Sequence, residues 1–187
     1  MGSTSDLKNG AVIKYNNDNY VLTNVEFRKP GKGGAFFQVK MRNLLSGKVA
    51  ENKFRSGESV EMVRIERRPY QYLYKDGNMF VFMNNETYEQ INVPAEMIGD
   101  QHIYMKENDD VSLLFEGDEV LTAEIAQHVN LEVVETEPGV RGDTATNVTK
   151  PAKLETGATV NVPIFINEGD KIRVDTQSGS YIERVKS

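Results

Sequence analysis

"YQYLYKDGNMFVFMN", residues 70–84, decides the fold class. Aromatic and aliphatic residues crowd both sides of Asp76-Gly77. Alternation sends successive side chains to opposite faces of a strand. An Asp-Gly pair between two such runs is the signature of a tight type I′ hairpin turn. The segment is therefore predicted to be two antiparallel strands.

The same plan continues outward. Residues 111–125, "VSLLFEGDEVLTAEI", place Gly117-Asp118 between two apolar runs. Residues 129–139 read as a strand ended by Pro138-Gly139, and 158–166, 170–176 and 180–186 as short strands parted by turns. Toward the N-terminus, residues 20–27, 36–43 and 60–67 alternate in the same way. Pro163 removes a ladder donor, so it belongs at a strand edge or bulge. One short helix is expected at 94–99, "PAEMIG", with Pro94 in its first turn. Many short strands with frequent turns mean an all-β sandwich or barrel.

Charge divides the chain. Residues 1–65 carry 11 Lys and Arg against 6 Asp and Glu; residues 66–128 carry 4 against 13, and residues 129–187 carry 7 against 9. The predicted domains are a basic barrel at 1–65, an acidic one at 66–128 and a third at 129–187. Small closed barrels suit modules of this length, because closure removes exposed sheet edges. The asymmetry suggests that the first module meets a polyanion. Scattered solvated charges would give the same counts.

Several classes are disfavoured. The chain has no cysteine, which removes disulfides, thiolate zinc sites and thiol nucleophiles together. No window is long and apolar enough for a membrane helix, and "MGSTSDLKNG" lacks an apolar signal core, so a cytoplasmic protein without membrane attachment is expected. Asp6 stands where a myristoylation motif needs Ser or Thr. His102 and His128 sit in no catalytic motif, and no metal or cofactor is expected. Residues 107–118, "ENDDVSLLFEGD", fail the spacing of a calcium loop. "GKGGAF" fails both the Walker and the dinucleotide patterns. The sequons at Asn85 and Asn147 matter only in a secreted chain, and the tripeptide Arg141-Gly142-Asp143 reads as an accident in a cytoplasmic one. A carboxylate pair on a β scaffold, which would make a hydrolase, remains an alternative.

The stretch most suggestive of function is "RKPGKGGAFFQVKMRN", residues 28–43. Pro30-Gly31 favours a turn, and Gly33-Gly34 lets the backbone leave it at unusual dihedrals. Lys32 is thereby held at an apex. Arg28 and Lys29 stand at the base; Lys40 and Arg42 follow on the returning strand. Such a basic finger suits a phosphate backbone, where cations displace condensed counterions. Gly31 and Gly33 keep the tip narrow. A flexible, solvated hairpin tip has the same spacing.

These residues carry a resemblance. "KPGKGGAF" at 29–36, "YLYKDG" at 72–77, "FMNNETYEQ" at 82–90 and the long run 137–185 are similar to the bacterial translation elongation factor P family. The resemblance covers nearly the whole chain. It implies three β-barrels in an L-shaped arrangement: an SH3-like, KOW-like first domain and two OB-folds. It further implies a non-enzymatic monomer that binds the ribosome between the peptidyl and exit sites and relieves stalling at consecutive prolines. Lys32 aligns with the residue that the family extends, so a separate modifying enzyme would be a partner. Lys32 would contact peptidyl-tRNA, and Arg28, Lys29, Gly31, Gly33, Lys40 and Arg42 would be RNA-binding residues around it. Gly142, Asp143 and Thr144 align with a loop near the small subunit and the exit-site codon. Tyr181 and Arg184 are possible RNA contacts, though strand packing accounts for Tyr181 equally well. A generic OB-fold binder of single strands remains a further alternative.

Overall fold

The structure is a computed structural model, and it describes residues 2–138 and 148–186. Its strands form three five-stranded antiparallel sheets, one after another along the chain.

The first sheet draws on β2 (Val12–Tyr15), β3 (Asp18–Arg28), β4 (Phe36–Asn43), β5 (Val49–Arg55) and β7 (Met62–Val63), in the order β5-β4-β3-β2-β7. Two short strands, β1 (Gly2–Ser3) and β6 (Ser59–Val60), pair separately. Alternation puts Leu22, Val39, Met41 and Phe54 into one buried cluster. The β2–β3 turn is Asn16-Asn17, with φ of 49° and 65° at the two residues. Asparagine tolerates this left-handed region, and positive φ at both positions is the type I′ pattern. Residues 60–67 are not the single strand expected. Val60 pairs with Gly2, Met62 with Ile13, and Glu66 with Phe115 in the next sheet. A segment that pairs with three partners in turn cannot stay straight.

The second sheet comprises β8 (Glu66–Asp76), β9 (Met79–Asn84), β10 (Gln90–Pro94), β11 (Asp110–Glu116) and β12 (Glu119–Glu124), in the order β10-β9-β8-β11-β12. The hairpin at its centre forms, with a different turn. Asp76 pairs with Met79, so the loop is Gly77-Asn78. Only Gly77 has positive φ, 60°. Positive φ at the first loop residue alone is the type II′ pattern, not the type I′ expected. Gly117-Asp118 does the same, with φ of 61° at Gly117 and Glu116 paired to Glu119. The short helix α1 spans Ala95–Ile98 with Pro94 as its extended N-cap, one place earlier than expected, and runs into a 3₁₀ turn, Gly99–Tyr104. Phe82, Leu113 and Ile98 anchor the core, where the Tyr72 and Phe82 rings lie 5.7 Å apart.

The third sheet comprises β13 (His128–Thr136), β14 (Thr149–Leu154), β15 (Thr159–Pro163), β16 (Lys171–Asp175) and β17 (Ser180–Val185), in the order β15-β14-β13-β16-β17. Pro163 closes an edge strand, as its missing donor requires. The strand order is that of the second sheet: third, second, first, fourth, fifth. The two units share a topology that no sequence repeat announces.

The units pack against one another. Val12 and Val21 of the first bury against Leu114 of the second, with Leu44, Val63, Ile65 and Leu121 around them. Arg67 closes this seam. It donates to the Gly10 carbonyl at 2.9 Å and holds Glu124 through Nε at 3.0 Å and Nη2 at 2.9 Å. At the next seam, Tyr104 of the second unit is buried among the third unit's core residues, including Leu131 and Val174. Lys106 pairs with Glu155 at 3.3 Å, and the Thr176 hydroxyl donates to the Ala126 carbonyl at 2.8 Å.

Candidate nucleic-acid interface at the tip of the first barrel

β3 and β4 stay paired as far as Arg28 and Phe36, so residues 29–35 form the connecting loop. Below it, Val25 faces Val39 and Phe27 faces Phe37 on one side of the ribbon. The Phe27 and Phe37 rings sit 5.0 Å apart, although Phe27 is 56% exposed. That contact stiffens the stalk. The opposite side, by alternation, carries Glu26, Arg28, Gln38 and Lys40, with Lys53 and Arg55 on the neighbouring β5. The Lys53 ammonium lies 5.3 Å from the Phe36 ring centroid.

The loop is tied to the barrel at its last residue, where the Ser56 N–H donates to the Ala35 carbonyl at 3.0 Å, and its apex, residues 31–34, is exposed. A Cβ built on Gly31, Gly33 or Gly34 meets nothing within 4 Å. Gly33 has a φ of 98°, which a side chain would resist. Lys29 and Lys32 are exposed. Arg28 is different: it holds Glu26 at 2.7 Å. That hydrogen bond, helped by one from Asn24 and by the guanidinium charge, keeps the Glu26 carboxyl below the usual carboxylate range. Glu26 takes one guanidinium N–H of Arg28, so a phosphate reaching the remaining donors shares that side chain with a carboxylate. No ion pair engages Lys29, Lys32 or Lys40 among the described residues.

Arg42 is separated from this group. It shares a strand face with Lys40 but lies six positions beyond Phe36, roughly 20 Å along the strand. It is half-buried and lines a cavity of about 180 Å³ where all three barrels meet, beside Asn43, Gly99, Tyr104 and Gly179. Its Nη1 is buried without a hydrogen-bond partner. Gly142, Asp143 and Thr144 lie outside the described residues, as do Arg141 and Asn147. Tyr181 is half-buried against the third core, and burial is the main cause holding its hydroxyl pKa above the ordinary value. Arg184 lies on the surface, 5.5 Å from the exposed Phe165 ring.

Lys53 and Arg55 escaped the sequence reading. Their only signal is alternation around Phe54 in "VAENKFR", a run too polar to stand out as a strand. Sites for acid–base chemistry are poorly furnished. His102 packs 5.3 Å from the Phe80 ring, and its pKa is lowered by burial and then by Lys75. Exposed His128 lies 3.8 Å from Asp175. Asp100 and Glu124 line the same junction cavity, but Arg67 occupies both oxygens of Glu124. No group of three or more His, Asp or Glu suited to a metal occurs among the described residues.

Comparison with known proteins follows the three sheets. Residues 3–60 match the elongation factor P KOW-like domain, residues 65–123 the elongation factor P OB domain, and residues 129–184 the elongation factor P C-terminal domain. Elongation factor P of Chloroflexus aggregans is 54% identical over 186 residues, covering 98% of each chain. That of Chloroherpeton thalassium is 48% identical over 187 residues, covering 100% of both. The solved structure of eukaryotic translation initiation factor 5A from Methanococcus jannaschii aligns with a TM-score of 0.48 at 24% identity, over 67% of this chain and 90% of that one.

Proposed function

The chain belongs to the elongation factor P family of translation elongation factors, and on that premise we propose that it binds the ribosome between the peptidyl and exit sites and uses Lys32 to steady the CCA end of peptidyl-tRNA. The observation that carries this reading is an unpaired Lys32 on a glycine loop with open space around it. Proline is a secondary amine with a locked φ, and so a poor partner in peptide transfer. A slow step gives peptidyl-tRNA time to drift. A cation that reaches the acceptor end restrains its sugar-phosphate backbone and keeps the reacting atoms close. Positioning of this kind lowers a barrier by several kcal/mol, roughly, without any acid or base. Lys29, Lys32 and Lys40 hold phosphates directly, and Arg28 does so through the donors that Glu26 leaves free. Phosphate contacts position without reading sequence, so one factor serves many tRNAs.

Extension of Lys32 by a separate modifying enzyme lengthens the same lever. The residues Gly142, Asp143 and Thr144 supply a second hold on the small subunit, with Arg184 and the outer edge of Tyr181 as further RNA contacts. The factor acts as a monomer in the cytoplasm.

A Lys32→Ala chain tests the reading in a reconstituted translation of a Pro-Pro-Pro message. It is expected to keep the wild-type melting temperature and to lose the rescue. Wild-type rescue by that variant overturns the mechanism. Intact mass of the native protein, with peptide mapping at Lys32, reports whether the side chain is extended.

A further inference from the structure

Among the described residues, two glycines lie where a Cβ would come closer than contact distance to the neighbouring barrel. Gly99 opens the 3₁₀ turn of the second barrel at a φ of 76°. A Cβ there would sit 2.5 Å from the carbonyl oxygen of Leu45, in the β4–β5 loop of the first barrel. Gly179 lies in the β16–β17 turn of the third barrel at a φ of 71°. A Cβ there would sit 2.7 Å from the Tyr104 hydroxyl. Tyr104 is the last residue of the turn that Gly99 begins. One segment, Gly99–Tyr104, therefore meets the first barrel at its first residue and the third barrel at its last.

Backbone shape alone does not explain these contacts. Gly47, Gly117 and Gly157 also have positive φ, and a Cβ on any of them meets nothing within 4 Å. Those three serve their turns. Gly99 and Gly179 serve their turns and also admit a neighbouring barrel.

We propose that Gly99 and Gly179 are positioning residues: they set the separation between the Lys32 tip and the third barrel, with Gly99–Tyr104 as the spacer. The proposal rests on the reading that Lys32 acts at one place on the ribosome while the rest of the chain holds on elsewhere. A methyl group at either glycine wedges two barrels apart. The tip lies well beyond the seam, so a small rotation at the seam becomes a larger displacement at Lys32. An ångström of misplacement at a reacting centre is enough to lower a rate by about a hundredfold.

The chain has no cysteine, so two labels can be introduced cleanly. Lys14→Cys and Lys171→Cys carry spin labels on exposed strand positions of the first and third barrels. The informative comparison is Gly99→Ala against Gly117→Ala, since both put alanine at positive φ and only the first meets a neighbour. Gly99→Ala is expected to shift or broaden the interspin distance and to lower the rate of Pro-Pro-Pro rescue at least tenfold, roughly. Gly117→Ala is expected to leave both at wild type. Gly179→Ala should shift the distance as well, and it stands in if Gly99→Ala fails to fold. Adding Tyr104→Phe removes the oxygen that Gly179→Ala meets, and should restore distance and rescue together.

An unchanged distance in Gly99→Ala and Gly179→Ala overturns the proposal. So does a shifted distance with wild-type rescue, or equal loss of rescue in Gly117→Ala. A wild-type chain that gives a sharp distance but no rescue defeats the ribosomal reading instead, and the distance comparison then judges the spacer alone.

Discussion

The tip and the junctions use the same residue for opposite ends. At the tip, Gly31, Gly33 and Gly34 have no neighbour that a Cβ would meet. Their missing side chains keep the loop slim and leave Lys32 free to move. At the junctions, Gly99 and Gly179 have neighbours closer than any Cβ tolerates. Their missing side chains are replaced by another barrel. Glycine thus supplies freedom in one region and rigidity in the other. What differs is the surroundings, which the residue itself does not record. The two regions should also respond differently to perturbation: the tip in function with little change in stability, the junctions in both.

Leu114→Ala breaks that contrast most severely if the junction is a true packing seam. Leu114 is fully buried on β11, and it touches Val12 and Val21 of the first barrel. Truncation of a buried leucine costs about 2–5 kcal/mol. Each kcal/mol corresponds to roughly 2–4 °C of melting temperature in a chain of this size. The loss should register in both barrels, so amide exchange should quicken in β2 and β3 as well as in β11. Quickening confined to the second barrel would mean that the first stands alone and that the seam is mere contact.

Gly33→Ala probes the other side. At a φ of 98° alanine is strained, by roughly 1–2 kcal/mol if the loop holds its shape. No neighbour crowds Gly31, Gly33 or Gly34, and the hydrogen bond from Ser56 to the Ala35 carbonyl lies beyond them, so the apex can relax. The melting temperature is expected to fall by about 3 °C at most, with exchange unchanged below Arg28. A larger drop would show that the tip is braced by the barrel, and the distinction between the two regions would fail.

That distinction explains what the sequence makes legible. Strand alternation and turn residues act within a few positions, so the all-β class and the hairpins around Gly77 and Gly117 could be read directly. Lys32 at an open loop could be read because Pro30 and three glycines surround it. Turn type was harder: whether the loop is Asp76-Gly77 or Gly77-Asn78 depends on which residues pair across it, a matter of register. β5 stayed hidden because its inward positions include Asn52, and the break at Arg64-Ile65 because three partners compete for one apolar run. Arg42 looks like Lys40 in sequence, and only the arrival of the second and third barrels buries its Nη1. Gly99 and Gly179 look like turn glycines for the same reason. Local chemistry is written locally; seams between units are not.

The smallest expected effect compares one carboxylate from each region. Glu26 on the stalk and Asp175 beside the junction both ionise below the usual range. Glu26 owes this first to Arg28, in an exposed pair of the kind that contributes little to stability. Asp175 owes it first to the backbone N–H of Ser178, with a second bond from Gln177, at 3.0 and 2.8 Å. Those bonds order the turn that presents Gly179 to Tyr104. A carboxyl whose folded pKa is depressed stabilises the fold fully above its unfolded pKa, and that contribution fades as pH falls through the folded value. Asp175→Asn keeps an acceptor oxygen but loses the charge. Its melting temperature should therefore lie slightly below wild type at neutral pH, and the two should converge under acid. Glu26→Gln should show the same convergence on a smaller scale, because its pair with Arg28 is exposed and screened by solvent. If the convergence were larger in Glu26→Gln than in Asp175→Asn, the stalk rather than the junction would be the part of the molecule whose order depends on charge.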